Sequence, residues 1–409
     1  MTSPASTKLY EITDGYSATE ISGVCLPALA PDTLDELRPF FGLKLARSAR
    51  SLLKEVAANR NGQHKWFDWL SQTLDTFSSF QLAQAFDSPL ACYDLSLDPD
   101  QKDERSTQTR AVSCVRYAIG LPDIKPPRAL PLPAADKDAV NGLLLPHLSV
   151  VVRTDLGPLA VTETDTTTQI AWTDGFALTI PKLSRVDHWL GEDRDQHFWP
   201  ISEVRGFQIL NDVPEVAIVT THMQLCEREE LPASMSALAS GLSFLKNVWP
   251  AAYFACVRQI KGIVLLQERD HTRSHSPLSL LGVIGLTTGD EISVGDLLVH
   301  ESSHVRLELM RQFDPLWEDR EPEKRHESPW RQDPRPLWGL ILGVHAFLNV
   351  AQYYQRVSKY LGSNEHAEML FERQKEKVTT AWKRAKPFVR PTPLGEHFFT
   401  ELEKEVLSL

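Results

Sequence analysis

The sequence predicts an α+β fold that is predominantly helical, with a small antiparallel or mixed sheet. Three observations lead to this prediction. Apolar residues recur at helical spacing near the N-terminus and again through the last third of the chain. Short segments rich in β-branched residues, separated by turn signals, lie between these two parts. A proline-rich stretch precedes the β-branched segments, and repeated prolines interrupt both helices and strands because they lack a backbone donor. Helices and strands are therefore expected to be segregated along the chain.

The same patterns divide the chain into three parts. Residues 1–121 are expected to form an N-terminal helical region, because residues 32–59 and the following HKWFDWLSQTL carry apolar residues at helical spacing. Residues 122–147 contain the proline-rich, charged stretch and are predicted to be an exposed connection. Residues 148–409 are predicted to form an α+β domain that contains the motif described below.

Within this third part, each element has its own signal. The segments LSVVVRTDLGPLAVTE, TQIAWTDGFALTIP and VAIVTTHM have the β-branched composition of strands. A long periodic segment over about 231–257 predicts a helix, and the apolar runs GIVLLQ and LLGVIGLTT predict two buried strands. Residues 294–312 and 337–360 predict two long helices, and two further helices are expected to close the chain.

Composition restricts the classes of partner. The 409 residues include 43 Lys and Arg against 54 Asp and Glu, a formal net charge of −11. No long basic run is present, which argues against nucleic-acid binding by bulk electrostatics and favours a peptide or a small molecule. No apolar run approaches the roughly 20 residues of a membrane span, and the five cysteines form no Cys-x-x-Cys pair. We therefore expect a reduced, cytoplasmic protein without a membrane segment, whose oligomeric state the sequence leaves open.

The main chemical signal is the H-E-x-x-H sequence from His300 to His304, which lies inside a predicted helix directly after a predicted strand. Residues four apart on a helix differ by about 40° in azimuth and about 6 Å in rise, so both imidazoles project from one face and can share a metal ion. The alternative is a solvated surface helix that carries His and Glu. The apolar residues 297–299 before the motif predict instead that this turn is buried.

A metal site needs a third ligand, and His345 is the main candidate. It lies at the edge of a buried stripe in the second long helix, so the predicted site joins the motif helix to a second long helix. The alternative for His345 is a core imidazole bonded to a backbone carbonyl. His326, Glu327 and Asp333 are weaker candidates in a predicted polar loop. The extended zinc-protease form of the motif is absent, because residues 305–310 read VRLELM.

Three segments together resemble a known family. The combination of HESSH, SPWRQDPRP and LWGLILGVHAFLNVAQYYQR is similar to the α-ketoglutarate-dependent HExxH-type peptide β-hydroxylases, over about residues 274–354. The resemblance implies Fe(II) as the metal, 2-oxoglutarate as co-substrate, and O₂-dependent hydroxylation of the β-carbon of a residue in a ribosomally made precursor peptide. Under it, His300, His304 and His345 would hold the iron and leave positions for 2-oxoglutarate and O₂. An all-histidine site departs from the usual triad, which includes a carboxylate.

The same resemblance gives roles to three charged residues. Arg331 and Arg335 are candidates to bind the distal carboxylate of 2-oxoglutarate, because a guanidinium offers two parallel hydrogen bonds. The alternative is that they pair with Asp333 at the surface. Glu301, the candidate catalytic residue, would activate metal-bound water in a hydrolase, whereas in an oxygenase it would orient ligands or substrate.

Two other functions remain open at this stage. A zinc metallopeptidase with Glu301 as general base uses the same motif, and a non-catalytic peptide-binding module would use the histidines only for packing. Trp330 and Trp338 flank the arginine segment and are expected to be packing residues rather than walls of a peptide site. His271 and His275, before the strand that leads to the motif, are expected to lie in a solvated loop.

Overall fold

The computed structural model describes most of the C-terminal half of the chain and shorter pieces of the rest. The described residues are 37–58, 65–86, 130–131, 142–145, 150–153, 160–163, 167–171, 177–181, 198–200, 202–205, 207–211, 224–267 and 274–409. The chain forms two compact units. One contains the described residues of 224–409 together with Val204, Arg205 and Phe207, and the other contains the described residues of 41–203 and 208–211.

The described elements before residue 201 are three helices and the strands of two antiparallel sheets. The helices are α1 (Leu37–Ala58), α2 (Lys65–Leu74) and α3 (Ser79–Phe86). The strands are β1 (Leu130–Pro131), β2 (Gly142–Leu145), β3 (Val150–Arg153), β4 (Ala160–Glu163), β5 (Thr167–Ala171), β6 (Ala177–Pro181) and β7 (Phe198–Pro200). The strand orders are β1-β4-β5-β6 and β2-β3-β7. Strands β3 to β6 agree with the first two β-branched segments of the sequence, whereas β1, β2 and β7 were not predicted, and the segment VAIVTTHM lies outside the described residues. Helices α1 and α2 agree with the predicted N-terminal helices.

The unit that contains residues 224–409 has a mixed sheet, on which the helices of the site pack. Strand β10 (Gly262–Leu266) pairs in parallel with β12 (Val283–Thr287), and β11 (Ser274–His275) pairs antiparallel with β12. Val204 and Phe207 lie in the short strands β8 (Ser202–Val204) and β9 (Phe207–Ile209), which extend the sheet beyond β10. Strands β10 and β12 are buried along their whole length, as their continuous apolar sequences predict.

Helices make up most of the C-terminal unit. They are α4 (Leu231–Val248), α5 (Pro250–Gln259), α6 (Glu291–Arg311), α7 (Leu337–Tyr360), α8 (Glu365–Ala385) and α9 (Pro393–Ser408). The single helix predicted over about 231–257 is in fact two helices, α4 and α5, which meet at Trp249 and Pro250. The break has a physical cause, because proline has no N–H to continue the helical bonding and restricts the residue before it to extended backbone.

Helices α6 and α7 pack side by side and run antiparallel. The Tyr353 hydroxyl near the end of α7 donates to the Ile292 carbonyl near the start of α6, at 3.0 Å. A Cβ on Gly295 would overlap the Tyr353 hydroxyl, so the missing side chain is what allows the two helices to approach here. Further along, Phe347 of α7 contacts His300 of α6. The antiparallel register brings the middle of α7 against the motif.

The polar segment between these helices forms a β-hairpin rather than a loop. Strand β13 (His326–Ser328) pairs antiparallel with β14 (Arg331–Arg335), as a two-stranded sheet of its own. Most of β14 is exposed, and it leads through Pro336 directly into α7. Pro334 within β14 is tolerated because the hairpin has only two strands, so its missing donor breaks no ladder within a larger sheet.

The α+β class with a small mixed sheet is confirmed. The division at 122–147 stays a prediction, since only residues 130–131 and 142–145 of that stretch are described. Both cysteines in the described part, Cys226 and Cys256, are buried free thiols. No helix among the described residues is long and apolar enough to cross a membrane.

Candidate metal centre

Helix α6 presents the two histidines of the motif on one face. Its first turn is capped by Asp290, whose carboxylate accepts hydrogen bonds from the Ile292 and Ser293 N–H groups, both at 3.0 Å. Asp290 therefore fixes the start of α6 directly after the connection from β12, two to three turns before the motif. Because the motif lies in the helix interior, His300 and His304 project from adjacent turns of one face.

The imidazoles of His300 and His304 are in direct contact. Their Nε2 atoms are 3.0 Å apart, and their rings meet edge to face with centroids 4.5 Å apart. Without a metal, this contact is a hydrogen bond from one neutral ring to the other. Two nitrogens bound at right angles to one ion, each at about 2.1 Å, would also lie about 3.0 Å apart. The pair therefore fits two neighbouring positions of a single coordination sphere.

Both imidazoles are held in the neutral state that metal binding requires. Burial lowers the pKa of His300, although the nearby Asp296 acts in the opposite direction. Burial also lowers the pKa of His304 well below its usual range, and the neighbouring His300, His345 and His275 rings lower it further. A neutral imidazole keeps a lone pair for a metal ion, whereas a protonated one has none.

His345 lies on α7 beside this pair and is fully buried. Its ring is close enough to lower the pKa of His304, and its other face meets Phe398 at 5.8 Å between centroids. Within the described residues, however, no three His, Cys, Asp or Glu side chains are already placed to hold one ion. Coordination by His300, His304 and His345 together therefore requires movement of side chains.

Glu301 faces a different direction from the histidines. Its carboxyl is 2% exposed and forms hydrogen bonds with the hydroxyls of Ser274 and Ser276, at β11. Its Oε1 lies 4.0 Å from His300 Nε2. Burial raises the pKa of this carboxyl, and the two serine bonds oppose that shift. The glutamate thus ties helix α6 to the segment at strand β11.

Two buried atoms of the H-E-x-x-H motif lack a hydrogen-bond partner, namely His304 Nδ1 and Glu301 Oε2. Buried polar atoms are nearly always satisfied by protein, water or an ion, so such atoms mark a place where a further group binds. Both belong to the motif, and their chemistry is that of nitrogen and oxygen donors. The residues that fit a divalent metal ion are His300 and His304, through their adjacent Nε2 atoms.

An aromatic wall borders His300 on the α7 side. The Phe347 ring lies 4.6 Å from the His300 ring, and Trp330 stacks on Phe347 with centroids 4.6 Å apart and planes 8° apart. Gly343 makes room for the indole, since a Cβ there would come within 3.1 Å of it. The Trp330 Nε1–H group donates to Gln374 at 3.2 Å. Trp330 is therefore a packing residue, as the sequence predicts, and it supports the Phe347 ring from the side away from His300.

The two predicted arginines both bond to Asp333. Arg331 Nε donates to Oδ1 at 2.9 Å, and an Arg335 guanidinium N–H donates to Oδ2 at 3.2 Å. Arg331 is 60% exposed and Arg335 30% exposed, and the Arg335 side chain packs over Gly339 at the start of α7.

Gly339 precedes Phe347 by eight residues, or about 12 Å along the helix. The Trp330 indole packs over Gly343, between these two positions. The fold thus places the Arg335 side chain and the His300 ring against different stretches of α7, at Gly339 and at Phe347.

The weaker ligand candidates lie on the hairpin. His326 packs on Phe388 at 4.7 Å between centroids, and burial lowers its pKa. Glu327 pairs with Arg384 at 3.2 Å, and Asp333 is occupied by the arginines. None of the three is positioned with the His300–His304 pair.

Three residues at the site were not singled out from the sequence as site residues. Ser274, His275 and Asp296 all act on motif residues, His275 through its effect on the His304 pKa. A usable signal existed for Asp296, which lies four residues before His300 and therefore on its face. For Ser274 and His275 no spacing in the sequence predicts that strand β11 lies beside the motif. His271, also considered, lies outside the described residues.

Neither a comparison with protein-family models nor a search of curated proteins finds a match for this chain.

Proposed function

We propose that this chain is a non-haem Fe(II)- and 2-oxoglutarate-dependent oxygenase that hydroxylates the β-carbon of a residue in a peptide. The observation that carries the proposal is the His300–His304 pair, whose Nε2 atoms lie 3.0 Å apart in part-buried surroundings that lower the pKa of both rings. His345 is the proposed third ligand. The peptide is proposed to be a ribosomally made precursor, and the compartment the cytoplasm.

The surroundings of Glu301 support an oxygenase over a hydrolase. A general base that activates water must be free to take a proton, and here two serine hydroxyls bond the carboxyl. The role of Glu301 in the proposed enzyme is to hold α6 against β11 and so to orient His300 and His304.

In the proposed reaction, bound Fe(II) with 2-oxoglutarate would supply the oxidation, in which O₂, 2-oxoglutarate and a C–H bond give an alcohol, succinate and CO₂. The chain's own groups bind and orient. Three neutral imidazoles leave part of the coordination sphere open for the co-substrate. The aromatic wall of Phe347 and Trp330 excludes water from one side of His300, which strengthens electrostatic interactions at the site.

Arg335 is the better candidate for the distal carboxylate of 2-oxoglutarate. It is half as exposed as Arg331, and packing over Gly339 limits its side-chain freedom. A less exposed guanidinium gives a stronger ion pair, because solvent screens it less. To bind 2-oxoglutarate, the Arg335 guanidinium must give up its hydrogen bond to Asp333.

A second candidate, a zinc metallopeptidase, also has an observation in its favour. Glu301 Oε1 lies only 4.0 Å from His300 Nε2, and Oε2 has no hydrogen-bond partner. A carboxylate so close to a bound zinc ion could take the proton of a zinc-bound water. This candidate predicts peptide cleavage that needs neither O₂ nor 2-oxoglutarate.

The deciding experiment is anaerobic reconstitution with Fe(II), followed by O₂ with and without 2-oxoglutarate, and measurement of succinate. The proposal predicts 2-oxoglutarate-dependent succinate formation in the wild type and none in His304→Ala. Peptide pools incubated in parallel should contain a product heavier by one oxygen atom. Iron-loaded wild type that forms no succinate with any pool would overturn the oxygenase, and cleavage by the zinc-loaded protein would establish the peptidase.

A further inference from the structure

Asp296 shares a helix face with both histidines of the motif. It precedes His300 by four residues and His304 by eight, so the three side chains follow one another along α6. Side chains on a helix lean toward its N-terminus, which directs the His300 ring toward the turn of Asp296. The carboxylate is thus the nearest acidic group on that face in the N-terminal direction.

The carboxylate of Asp296 is held from the opposite helix. The Tyr354 hydroxyl of α7 donates to Asp296 Oδ2 at 2.8 Å, across the antiparallel packing of α6 and α7. Tyr354 is 5% exposed, so the bond is shielded from solvent and its donor has little freedom. A carboxylate anchored in this way keeps its position when the neighbouring imidazole moves or binds an ion.

The charge of Asp296 acts on His300. Residues four apart on a helix are neighbours, about 5–6 Å apart at Cβ, so the negative charge of Asp296 lies one turn from the His300 side chain. A negative potential that favours a proton also favours a divalent cation at the same imidazole. The site has neutral ligands only, so this carboxylate supplies negative charge that the all-histidine set lacks.

We propose that Asp296, fixed by Tyr354, is a positioning residue that raises the affinity of the His300–His304 site for a divalent metal ion. The inference rests on the metal site of the proposed function, but it holds for an oxygenase and for a peptidase alike. Carboxylates that accept a hydrogen bond from a metal-binding histidine typically contribute 10–100-fold in metal affinity, and one that acts only through its charge should contribute at or below the lower end of that range. Asp296 takes this role without joining the ligand set.

The test measures Co(II) affinity by competition with a chromophoric chelator, and the visible absorption of bound Co(II), in four proteins. Asp296→Asn should bind Co(II) up to about 10-fold more weakly than the wild type and shift the absorption band. Tyr354→Phe should weaken binding in the same direction and by less, because it frees the carboxylate without removing its charge. Tyr353→Phe is the matched control, since it removes a neighbouring hydroxyl that donates to the Ile292 carbonyl instead.

Circular dichroism and urea unfolding of the metal-free proteins separate a local effect from a loss of fold. Equal Co(II) affinity in Asp296→Asn and wild type would overturn the inference and leave the proposed function intact. A loss of affinity as large in Tyr353→Phe as in Tyr354→Phe would also overturn it, because the effect would then be one of helix packing. A weakened Asp296→Asn together with an iron-loaded wild type that forms no succinate would support the inference and refute the oxygenase.

Discussion

The ring of Phe347 lies against the imidazole of His300, with 4.6 Å between their centroids and an angle of 64° between their planes. Trp330 stacks on the same phenyl ring and is itself seated over Gly343. The orientation of a predicted metal ligand on α6 is therefore supported by α7 and by the hairpin that precedes it. Packed side chains of this kind hold a ligand in one rotamer and reduce the entropy lost on metal binding.

Removal of this support should loosen the site. We expect Phe347→Ala to lower the free energy of unfolding by about 2–4 kcal/mol and to weaken Co(II) binding because the His300 ring gains freedom. Urea unfolding and chelator competition measure the two effects. Phe254→Ala is the control, since Phe254 is 44% exposed on α5 and should change neither quantity. Unaltered Co(II) affinity in Phe347→Ala would show that the ring only fills space.

His345 should contribute more to metal binding than His275, the other imidazole that acts on His304. His345 is fully buried between α6 and α9, whereas His275 is partly exposed on β11. We expect His345→Ala to reduce the Co(II) affinity by at least about 100-fold, and His275→Ala by less than about 10-fold, as for a group outside the ligand set. The reverse order would identify His275 as the third ligand.

Glu301→Gln should separate the two candidate enzymes. The amide keeps the size of the carboxyl and can still bond Ser274 and Ser276, so the oxygenase should retain 2-oxoglutarate-dependent succinate formation. A peptidase should lose about 10²–10⁴-fold in activity with its general base. Succinate formation and peptide cleavage are measured on the same preparations. Loss of succinate formation with full iron occupancy would mean that Glu301 acts chemically in the oxygenase.

The same substitution should change the pH dependence of stability. The pKa of Glu301 is raised in the folded protein, so its contribution is most favourable below the unfolded value near 4.5 and is lost as the pH rises through the folded pKa. We therefore expect metal-free Glu301→Gln to be more stable than the wild type at neutral pH, and the difference to shrink toward pH 4. Urea unfolding at several pH values measures this, and equal stability at pH 7 would contradict it.

The lowered pKa of His304 should change the stability of the metal-free protein with pH in the opposite direction to Glu301. The His304 pKa is lowered in the folded protein, so the unfolded chain takes up a proton first as the pH falls below about 6.5. Stability from the neutral ring is present above that pH and declines as the pH falls toward the folded pKa. His304→Gln should flatten the decline between pH 6.5 and 5 in the metal-free protein. A slope unchanged from the wild type would assign the acid sensitivity to other groups.

The two arginines should differ in their effect on 2-oxoglutarate. A lost hydrogen bond to a charged group costs about 1.5–3 kcal/mol, which corresponds to about 10–100-fold in affinity. We expect Arg335→Ala to raise the KM for 2-oxoglutarate by that factor, and Arg331→Ala, the more exposed neighbour, to change it by only a few-fold. Co(II) affinity should be unchanged in both. An unaltered KM in both variants would remove this hairpin from the co-substrate site.

The local features of the site followed from the sequence because they depend on short spacings. Helical periodicity predicted α6 and α7, and the spacing of four in the motif placed His300 and His304 on one face, where their Nε2 atoms are 3.0 Å apart. The continuous apolar runs of β10 and β12 predicted buried strands. Each of these depends on contacts between residues within one or two turns or within a single strand.

The remaining features depend on contacts between distant segments, which no spacing in the sequence reports. The hairpin from His326 to Arg335 read as a loop, because its strands are short, polar and paired only with each other. The bonds of Ser274 and Ser276 to Glu301 depend on how β11 returns beside β12. The bond from Tyr354 to Asp296 depends on the antiparallel register of α6 and α7. Periodicity assigns a residue to a face, but only packing decides which group meets it there.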